Sequence, residues 1–360
     1  MKTVLIVILV VMLTGVAYVG WHLWRITPHG ILAKLSVLTF FLLWMASVFV
    51  CLFSSEQFSV SAATALYEVS YTWLIAFLYL LIIFFVADAL SLCRLLPKSC
   101  LNDSCPGLFS VLGIVAAIMV AGNIHYRHKY REELNISTSK PLRKPLTIVL
   151  ASDLHIGYHN RQDELARWID LFNAEKPDLV LIGGDIIDRS TRPLLEGDYA
   201  KEFRRLKAPI LSVLGNHEYI SGVKGAEAFF AASGIKLLKD ERADIEGIRI
   251  IGRNDRSDRH RKALSQLTDT ANVFTILLDH QPYNLEEAEN AAIDFQFSGH
   301  THRGQVWPIS WITDVLYEKS WGHYSRGNTR YYISSGIGIW GPKIRIGTRS
   351  EYLVLHLKPQ

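Results

Sequence analysis

Charged residues are scarce in the first third of this 360-residue sequence. Residues 1–124 hold five basic side chains and four acidic ones, whereas the whole chain has 38 and 34. They are Lys2, Arg25, Lys34, Arg94 and Lys98, and Glu56, Glu68, Asp88 and Asp103. Soluble globular domains carry more charge than this, so the scarcity argues against a soluble fold for the region. The net charge of +4 is also small, and it gives no indication of a nucleic-acid partner.

Cysteine is rare, and none occurs after Cys105. Three of the four cysteines, Cys93, Cys100 and Cys105, lie close together, and a disulfide or three free thiols fit this loop about equally well. The chain after Cys105 offers no thiolate, which argues against a structural zinc site built on cysteine there.

Long apolar runs occupy this charge-poor region. There are four of them, at residues 4–24, 35–53, 71–92 and 108–124. Each has about the 17–25 residues needed to cross a bilayer core, and the runs lack the polar faces of soluble helices. The first run is too long for a signal peptide and has no clear cleavage site. The sequence therefore predicts an all-α transmembrane region over residues 1–125 with about four helices.

Basic residues collect just after the fourth run. The segment 126–145 contains six of them and ends with two prolines, Pro141 and Pro145, which predicts a basic juxtamembrane linker. The six are Arg127, Lys129, Arg131, Lys140, Arg143 and Lys144. Four spans put both chain ends on one side of the membrane, and the positive-inside rule favours the cytoplasm for that side. We therefore expect a multi-pass protein of the inner or cell membrane with a cytoplasmic C-terminal domain.

From residue 146 to residue 360 the pattern changes to short β-rich runs that alternate with helical ones. "LTIVLAS", "DLVLIGG" and "PILSVLG" are typical of buried strands, and "RQDELARWIDLFNAE" is typical of an amphipathic helix. This alternation predicts an α/β domain of layered sheets with helices outside.

Polar side chains suited to metals follow these strands. They are Asp153 and His155, Asp185 and Asp188, Asn216, His217 and Glu218, His280, and finally His300 and His302. The crevice beyond the carboxyl ends of strands is the usual ligand site of open α/β sheets, so we expect them to meet. His300 and His302 flank Thr301, and on an extended backbone both imidazoles would leave on one face.

The number of ligands suggests two metal ions. Seven of these residues offer nitrogen or oxygen donors, namely Asp153, His155, Asp185, Asn216, His280, His300 and His302. One ion cannot use all seven, whereas two ions about 3.5–4 Å apart can share a bridging carboxylate. A donor set without sulfur suits manganese, iron or zinc.

The order of the motifs resembles the calcineurin-like metallophosphoesterase family, in particular a membrane-anchored bacterial branch. The motifs are "SDLH" at 152–155, "GDIID" at 184–188, "GNHE" at 215–218, "DH" at 279–280 and "GHTH" at 299–302. The tail "SSGIGIWGPKIRIGTRSEYLVL" is similar to that branch as well. The resemblance implies a sandwich of two mixed β-sheets flanked by helices, and a metal-dependent phosphoric ester hydrolase.

The resemblance also implies a role for each residue. Asp153, His155 and His302 would hold one divalent ion, Asn216, His280 and His300 would hold a second, and Asp185 would bridge them. His217 would face the phosphate and act on the leaving oxygen. Asp188 and Glu218 would orient His217 and the nearby backbone, although capping or a surface salt bridge explains these two equally well.

One departure from that branch, at Arg303, and two further features bear on the substrate. Arg303 stands where that branch usually has glycine, so it adds strain if the position needs a positive φ, or binds a phosphate, or points to solvent. Arg256 lies in a loop rich in both charges, "GRNDRSDRHRK", which is a substrate-side loop or a solvated one. The tryptophans of "VWPISWITDVLYEKSWGHY" either dip into a membrane interface or pack in a core.

These patterns together predict a membrane-anchored, dinuclear phosphoesterase. A metal-bridging water would attack a phosphate ester or a pyrophosphate, and the tether favours a lipid-linked substrate of the phospholipid or UDP-diacylglucosamine type. One alternative is a phosphatase for soluble nucleotides or phosphoproteins. Another is a transporter or sensor with a regulatory esterase domain, and a third is a binding module without catalysis. The expected partners are the lipid bilayer and a phosphorylated substrate, and the oligomeric state stays open.

Overall fold

The computed structural model describes residues 2–28 and 30–360, with side chains at Ile6 and from Leu9 onward. The chain divides into two compact units, a first that ends at Ile124 and a second that spans His125–Gln360.

The first unit is helical. Its helices are α1 (Lys2–Ile26), α2 (Gly30–Ser54), α3 (Val60–Leu92) and α4 (Cys105–Arg127), the last of which ends three residues into the second unit. Four helices of the described chain are long and apolar enough to cross a membrane. The third helix begins at Val60 rather than at Tyr71, because Ser59 caps it by accepting a hydrogen bond from the Ala62 N–H at 3.3 Å. Cys51, Cys93, Cys100 and Cys105 are free thiols.

The second unit contains two six-stranded sheets. The strands are β1 (Lys129–Thr138), β2 (Leu146–Ala151), β3 (Leu179–Ile182), β4 (Ile210–Ser212), β5 (Ile235–Leu237), β6 (Glu241–Ile245), β7 (Ile248–Gly252), β8 (Phe274–Leu278), β9 (Phe295–Ser298), β10 (Gly322–Arg326), β11 (Thr329–Ile333) and β12 (Ser350–Pro359). The helices are α5 (Gln162–Ala174), α6 (Arg192–Glu196), α7 (Tyr199–Phe203), α8 (Asn216–Ser221), α9 (Val223–Ser233), α10 (Glu286–Asn290) and α11 (Ile309–Leu316).

Both sheets are mixed. The first has the order β1-β12-β2-β3-β4-β5, in which β2, β3, β4 and β5 run parallel and β12 runs antiparallel to β2. The second has the order β10-β11-β9-β8-β7-β6, in which β7, β8, β9 and β11 run parallel. Within each sheet the parallel strands therefore end at the same edge. The predicted sandwich of two mixed sheets flanked by helices is confirmed.

Apolar residues fill both faces of the central strands, which explains why these strands are continuous hydrophobic runs. Ile148 and Leu150 of β2 pack with residues of β7, β8 and β9 between the sheets. Val149 and Ala151, which point the other way, pack against α5 and α9. A third cluster covers the outer face of the second sheet around Leu285. The core holds both sheets rigid beneath the loops that follow the strands.

The expected linker at 126–145 is wrong for most of its length. Strand β1 occupies residues 129–138 and pairs in parallel with β12, the last strand of the chain, over ten residues. Its side chains alternate between exposed and half-buried or buried, and Ile136 lies in the core between the sheets. Basic and polar residues fill the outward positions, so the composition of the segment is typical of a linker although its backbone belongs to a sheet.

Replacing Ile136 by alanine tests whether β1 contributes to stability. We expect Ile136→Ala to lower the free energy of unfolding of the second unit by about 2–4 kcal/mol, because it leaves a cavity in the core. The matched change Asn135→Ala, at an exposed position of the same strand, should cost less than about 0.5 kcal/mol. Denaturant titration of the detergent-solubilised protein measures both. Equal, small effects would mean that β1 is not part of the folded core.

Candidate metal centre

The loops after five strands carry the polar residues singled out in the sequence. Asp153 and His155 follow β2, Asp185 and Asp188 follow β3, Asn216, His217 and Glu218 open α8 after β4, His280 follows β8, and His300 and His302 follow β9. These strands are parallel within each sheet, so the loops meet at one end of the sandwich. Asp153, His155, Asp185 and His280 are almost completely shielded from solvent.

The backbone at these positions is unusual. Five of the seven expected ligands have a positive φ, namely Asp153 (55°), His155 (46°), Asp185 (52°), His300 (71°) and His302 (47°). Residues with a Cβ rarely adopt this region, and such strain collects at functional sites. The conformation turns the chain sharply after each strand and aims the side chain back across the strand end.

Two glycines make room for the carboxylates. A Cβ on Gly215 would overlap the carboxylate of Asp185, and a Cβ on Gly299 would overlap that of Asp153. The glycines of "GNHE" and "GHTH" are therefore needed for close approach. The His300 N–H donates to Asp153 Oδ1 at 3.0 Å, and the His217 N–H donates to Asp185 Oδ1 at 2.9 Å.

One group of donors consists of Asp153, His155 and His302. The two imidazoles meet through their Nε2 atoms at 3.0 Å. Asp153 Oδ1 lies 3.4 Å from Nε2 of His302 and 3.9 Å from Nε2 of His155. Donor atoms about 2 Å from one ion lie roughly 3 Å apart, so these three atoms are spaced as ligands of one cation would be.

A second group consists of Asp185, His280 and His300. Nε2 of His280 lies 3.1 Å from Asp185 Oδ2, and Nδ1 of His300 lies 2.8 Å from Oδ1 of Asn216. The same Oδ2 of Asp185 is 3.7 Å from Nε2 of His155 in the first group. Asp185 thus stands between the two groups.

The backbone at His300–His302 is not extended, so the two imidazoles do not leave on one face. His300 has φ 71°, and a 3₁₀ turn runs from His302 to Gly304. The two imidazoles therefore diverge into different groups, and the Thr301 hydroxyl turns away to donate to the Ser320 carbonyl at 2.6 Å.

Asp188 and His217 lie beside the first group. Nδ1 of His217 donates to the Asp188 carbonyl at 2.9 Å and lies 3.3 Å from Asp188 Oδ1. Asp188 Oδ1 is also 3.4 Å from Nδ1 of His155. His217 could serve as a ligand, since it groups with His155 and Asp185, or it could use its Nε2 on a substrate.

Glu218 is fully buried, and its carboxylate is hydrogen-bonded to the backbone of two loops. Its carboxylate accepts the N–H groups of Gly215 at 2.7 Å, Ile187 at 2.9 Å and Asp185 at 3.1 Å. A capping or surface role does not describe it fully, because the acceptor joins the start of α8 to the loop that carries Asp185.

The protonation states of the imidazoles differ. Burial lowers the pKa of His300 to about 4 and lowers the pKa of His302 well below its ordinary value. Neutral imidazole is the form that binds a cation. Burial acts in the same direction on His217, but the charges of Asp185 and Asp188 outweigh it and raise the pKa of His217 to about 9. A protonated His217 can donate from Nε2 while Nδ1 stays bonded to Asp188.

One buried donor atom fits a cation better than it fits its protein neighbour. Nε2 of His280 is buried and lies 3.1 Å from Asp185 Oδ2 without the geometry of a hydrogen bond. Buried polar atoms rarely remain unsatisfied. The donors are carboxylates, imidazoles and an amide, so the described residues fit hard or borderline divalent ions.

Arg303 does not point to solvent. It adopts φ 50°, the conformation for which glycine is suited, and its guanidinium stacks on the Trp321 ring at 4.3 Å. Arg256 is exposed and lies over the Tyr283 ring at 4.7 Å. Its loop is not uniformly solvated, because Arg253 is buried against Asp279 at 3.2 Å.

Two residues that support the site were missed in the sequence. The buried Arg345 donates to the His302 carbonyl at 2.8 Å and to the Ser335 carbonyl at 2.5 Å. Asn160 donates to the carbonyls of Leu154 at 3.0 Å and His155 at 3.1 Å. Arg345 lies in the tail that resembled the bacterial branch, which was the available signal. Asn160 carried none.

Fold and site together define a metal-dependent phosphoester hydrolase. A family model described as calcineurin-like phosphoesterase matches residues 146–304. An uncharacterised metallophosphoesterase of Campylobacter jejuni is 30% identical over 68% of this chain and 68% of its own length. One from Helicobacter pylori is 32% identical over 61% of each chain. A zebrafish (Danio rerio) protein described as a transmembrane protein with metallophosphoesterase domain is 29% identical over 59% of this chain and 53% of its own length.

The chain therefore belongs to the calcineurin-like metallophosphoesterase family. The match spans less than two thirds of the length of the Helicobacter protein.

Substitution of Arg303 separates backbone strain from ring stacking. Arg303→Ala removes the stacking on Trp321 but keeps a Cβ at positive φ, whereas Arg303→Gly removes both. We expect the glycine variant to have a free energy of unfolding about 1 kcal/mol higher than the alanine variant, because a non-glycine residue in this region costs about that much. Denaturant titrations of the two variants measure the difference. An alanine variant at least as stable as the glycine variant would refute strain at this position.

Proposed function

We propose that the protein is a membrane-anchored, dinuclear metallophosphoesterase that hydrolyses a phosphate ester or a pyrophosphate of a lipid-linked substrate. The observation that supports two ions is that Asp185 lies close to imidazoles of both donor groups. Its Oδ2 is 3.1 Å from Nε2 of His280 and 3.7 Å from Nε2 of His155, which belong to different donor groups. A carboxylate shared in this way is what a dinuclear site needs.

In this proposal each group holds one divalent ion. Asp153, His155 and His302 hold the first, Asn216, His280 and His300 hold the second, and Asp185 bridges. Manganese, iron and zinc all suit a set of nitrogen and oxygen donors. The bound ions would supply charge against the phosphoryl oxygens and lower the pKa of water.

His217 is the catalytic residue of the chain in this proposal. Its Nδ1 is fixed by the Asp188 carbonyl, so the ring presents Nε2. Burial lowers the pKa of His217, but Asp185 and Asp188 outweigh burial and raise it, which favours the protonated ring. It can therefore donate a proton to the leaving oxygen, and Glu218 keeps the loop of Asp185 in place during this step.

The lipid-linked substrate is proposed from the four apolar helices of the same chain. A catalytic unit tethered to a bilayer meets lipid phosphates at high local concentration. Soluble nucleotides and phosphoproteins are the alternative substrates, and a panel of both classes distinguishes them. A transporter or sensor is the other alternative, and the feature of the spans that would serve it is Asp88, which accepts from the Tyr18 hydroxyl at 2.7 Å and lies 3.0 Å from Nε2 of His22.

Two substitutions separate metal binding from proton donation. We expect Asp185→Asn to lose at least one bound ion together with its activity, because the shared charge is gone. His217→Ala should keep both ions and lose about 10²- to 10⁴-fold in kcat, the usual contribution of a general acid. Metal content by mass spectrometry and hydrolysis of bis(p-nitrophenyl) phosphate with Mn²⁺ measure the two effects.

His323→Ala is the matched control, since His323 is exposed and lies on β10 outside the donor groups. It should change neither quantity. Full activity in Asp185→Asn would rule out the bridging role, and loss of metal in His217→Ala would make His217 a ligand. Removal of metal by a chelator should abolish hydrolysis, and Mn²⁺ should restore it.

We also propose that the catalytic unit faces the cytoplasm. One span, α4, separates it from the loop that carries Cys93, so the two must lie on opposite sides. Cys93 is an exposed free thiol. A membrane-impermeant thiol reagent should therefore label the protein in intact cells, and Cys93→Ser should lose most of this labelling. Labelling of Cys93 only after the cells are lysed would reverse the orientation.

A further inference from the structure

Helix α11 presents its apolar side to solvent. Four of its side chains are large, apolar and exposed, namely Trp311 (62%), Ile312 (57%), Val315 (85%) and Leu316 (66%). A small polar residue, Ser310, is the one that is buried. A surface helix of a globular protein normally buries its apolar face and exposes its polar one. In α11 the apolar face is exposed instead.

The exposed residues form one continuous face. Trp311 and Val315 are four apart, as are Ile312 and Leu316, and residues with this spacing lie above one another on a helix. The Trp307 ring extends the face, since it packs edge-on against Trp311 with ring centroids 5.4 Å apart. Contiguous apolar surface of this kind marks an interaction site.

The face is held in place by its flanks. The Trp307 N–H donates to the Ile346 carbonyl at 2.7 Å before the helix, and the Tyr317 N–H donates to the Thr313 carbonyl at 3.1 Å at its end. The Asp314 carboxylate accepts the Ser320 hydroxyl. The apolar side chains are therefore presented outward by a fixed helix rather than by a loop that could fold them inward.

The face leads directly to the metal centre. The helix follows the 3₁₀ turn His302–Gly304 in the chain. At its other end Leu316 is followed by Tyr317, whose ring centroid is 6.3 Å from that of His300. The Tyr317 hydroxyl bonds to that of Tyr283 at 3.1 Å. Whatever covers α11 therefore lies next to the mouth of the site.

A lipid bilayer is the occupant that best fits this face. The chain carries four helices long and apolar enough to cross a membrane, so a bilayer is the apolar phase that the chain itself favours. Tryptophan with aliphatic side chains on a short helix is typical of a segment that lies in the interface. A second copy of the chain fits less well. The helix is only two turns, about 12 Å long, so its exposed face is much smaller than the roughly 800 Å² that each partner buries in a standard protein interface.

We propose that α11 lies in the lipid–water interface through Trp311, Ile312, Val315 and Leu316, and thereby sets the His300 side of the metal centre at the level of the lipid headgroups. Headgroup phosphates would reach the site from the membrane surface without leaving the bilayer. The part that concerns the substrate rests on the proposed function. The position of α11 in the lipid–water interface, called its seating below, does not.

Photocrosslinking of the full chain in phosphatidylcholine–phosphatidylglycerol proteoliposomes tests the seating. Benzoylphenylalanine in place of Val315 should give a lipid adduct that is detected by mass spectrometry. The matched position is Lys201 on α7, whose side chain is 72% exposed, and it should give little adduct. Equal yields at both positions, or a crosslinked dimer of the chain without lipid adduct at 315, would overturn the proposal.

The adduct does not depend on turnover, so it separates this inference from the proposed function. A second variant, Val315→Glu, places a charge on the outward face without touching the core. We expect severalfold lower hydrolysis of phospholipid substrates in vesicles and unchanged hydrolysis of soluble bis(p-nitrophenyl) phosphate. A lipid adduct in an enzyme that hydrolyses neither substrate would contradict the function and keep the seating. Unchanged hydrolysis of both would refute the link between α11 and substrate access.

Discussion

Two carboxylates, Asp153 and Asp185, are buried among imidazoles where the strands of the two sheets end. Much of the surrounding structure compensates for the burial of these two charges. A buried carboxylate is destabilising by several kcal/mol unless charges and donors surround it. Backbone N–H groups of the loops that carry His300 and His217 provide part of the compensation. Two bound cations would provide the rest, which is why loops from separate strands and both sheets must converge on one place.

Convergence requires backbone conformations that a chain does not adopt without support. Five of the seven proposed ligands lie at positive φ, and each costs about 1–2 kcal/mol. The rigid sheets beneath them, the Glu218 carboxylate and the Arg345 guanidinium hold these turns. Arg345 reaches the His302 carbonyl from the loop before β12, so a segment far from the donors along the chain supports the site. Arg303 adds strain of the same kind beside it.

The parts predicted from sequence are those with a local signal. Each ligand follows a continuous apolar strand, so the order of motifs showed both the architecture and the meeting point. Long-range pairing left no such signal. The sequence of β1 is typical of a polar linker, and its partner, β12, lies far from it along the chain. The hydrogen bond from Arg345 to the His302 carbonyl was not predicted either, because the two residues are far apart along the chain.

The chemistry and the surroundings of the site are built from different parts of the fold. Ligands sit at strand ends, where the packed core beneath them fixes their positions. The segments around the mouth, which carry Tyr283 and Arg256, supply none of the proposed ligands. An outward apolar helix such as α11 would be a liability on a free soluble enzyme, because exposed apolar patches promote aggregation. If the chain is held at a bilayer, the same helix instead orients the mouth of the metal centre toward the membrane. The membrane spans and α11 then both favour a metal centre that lies at the membrane surface.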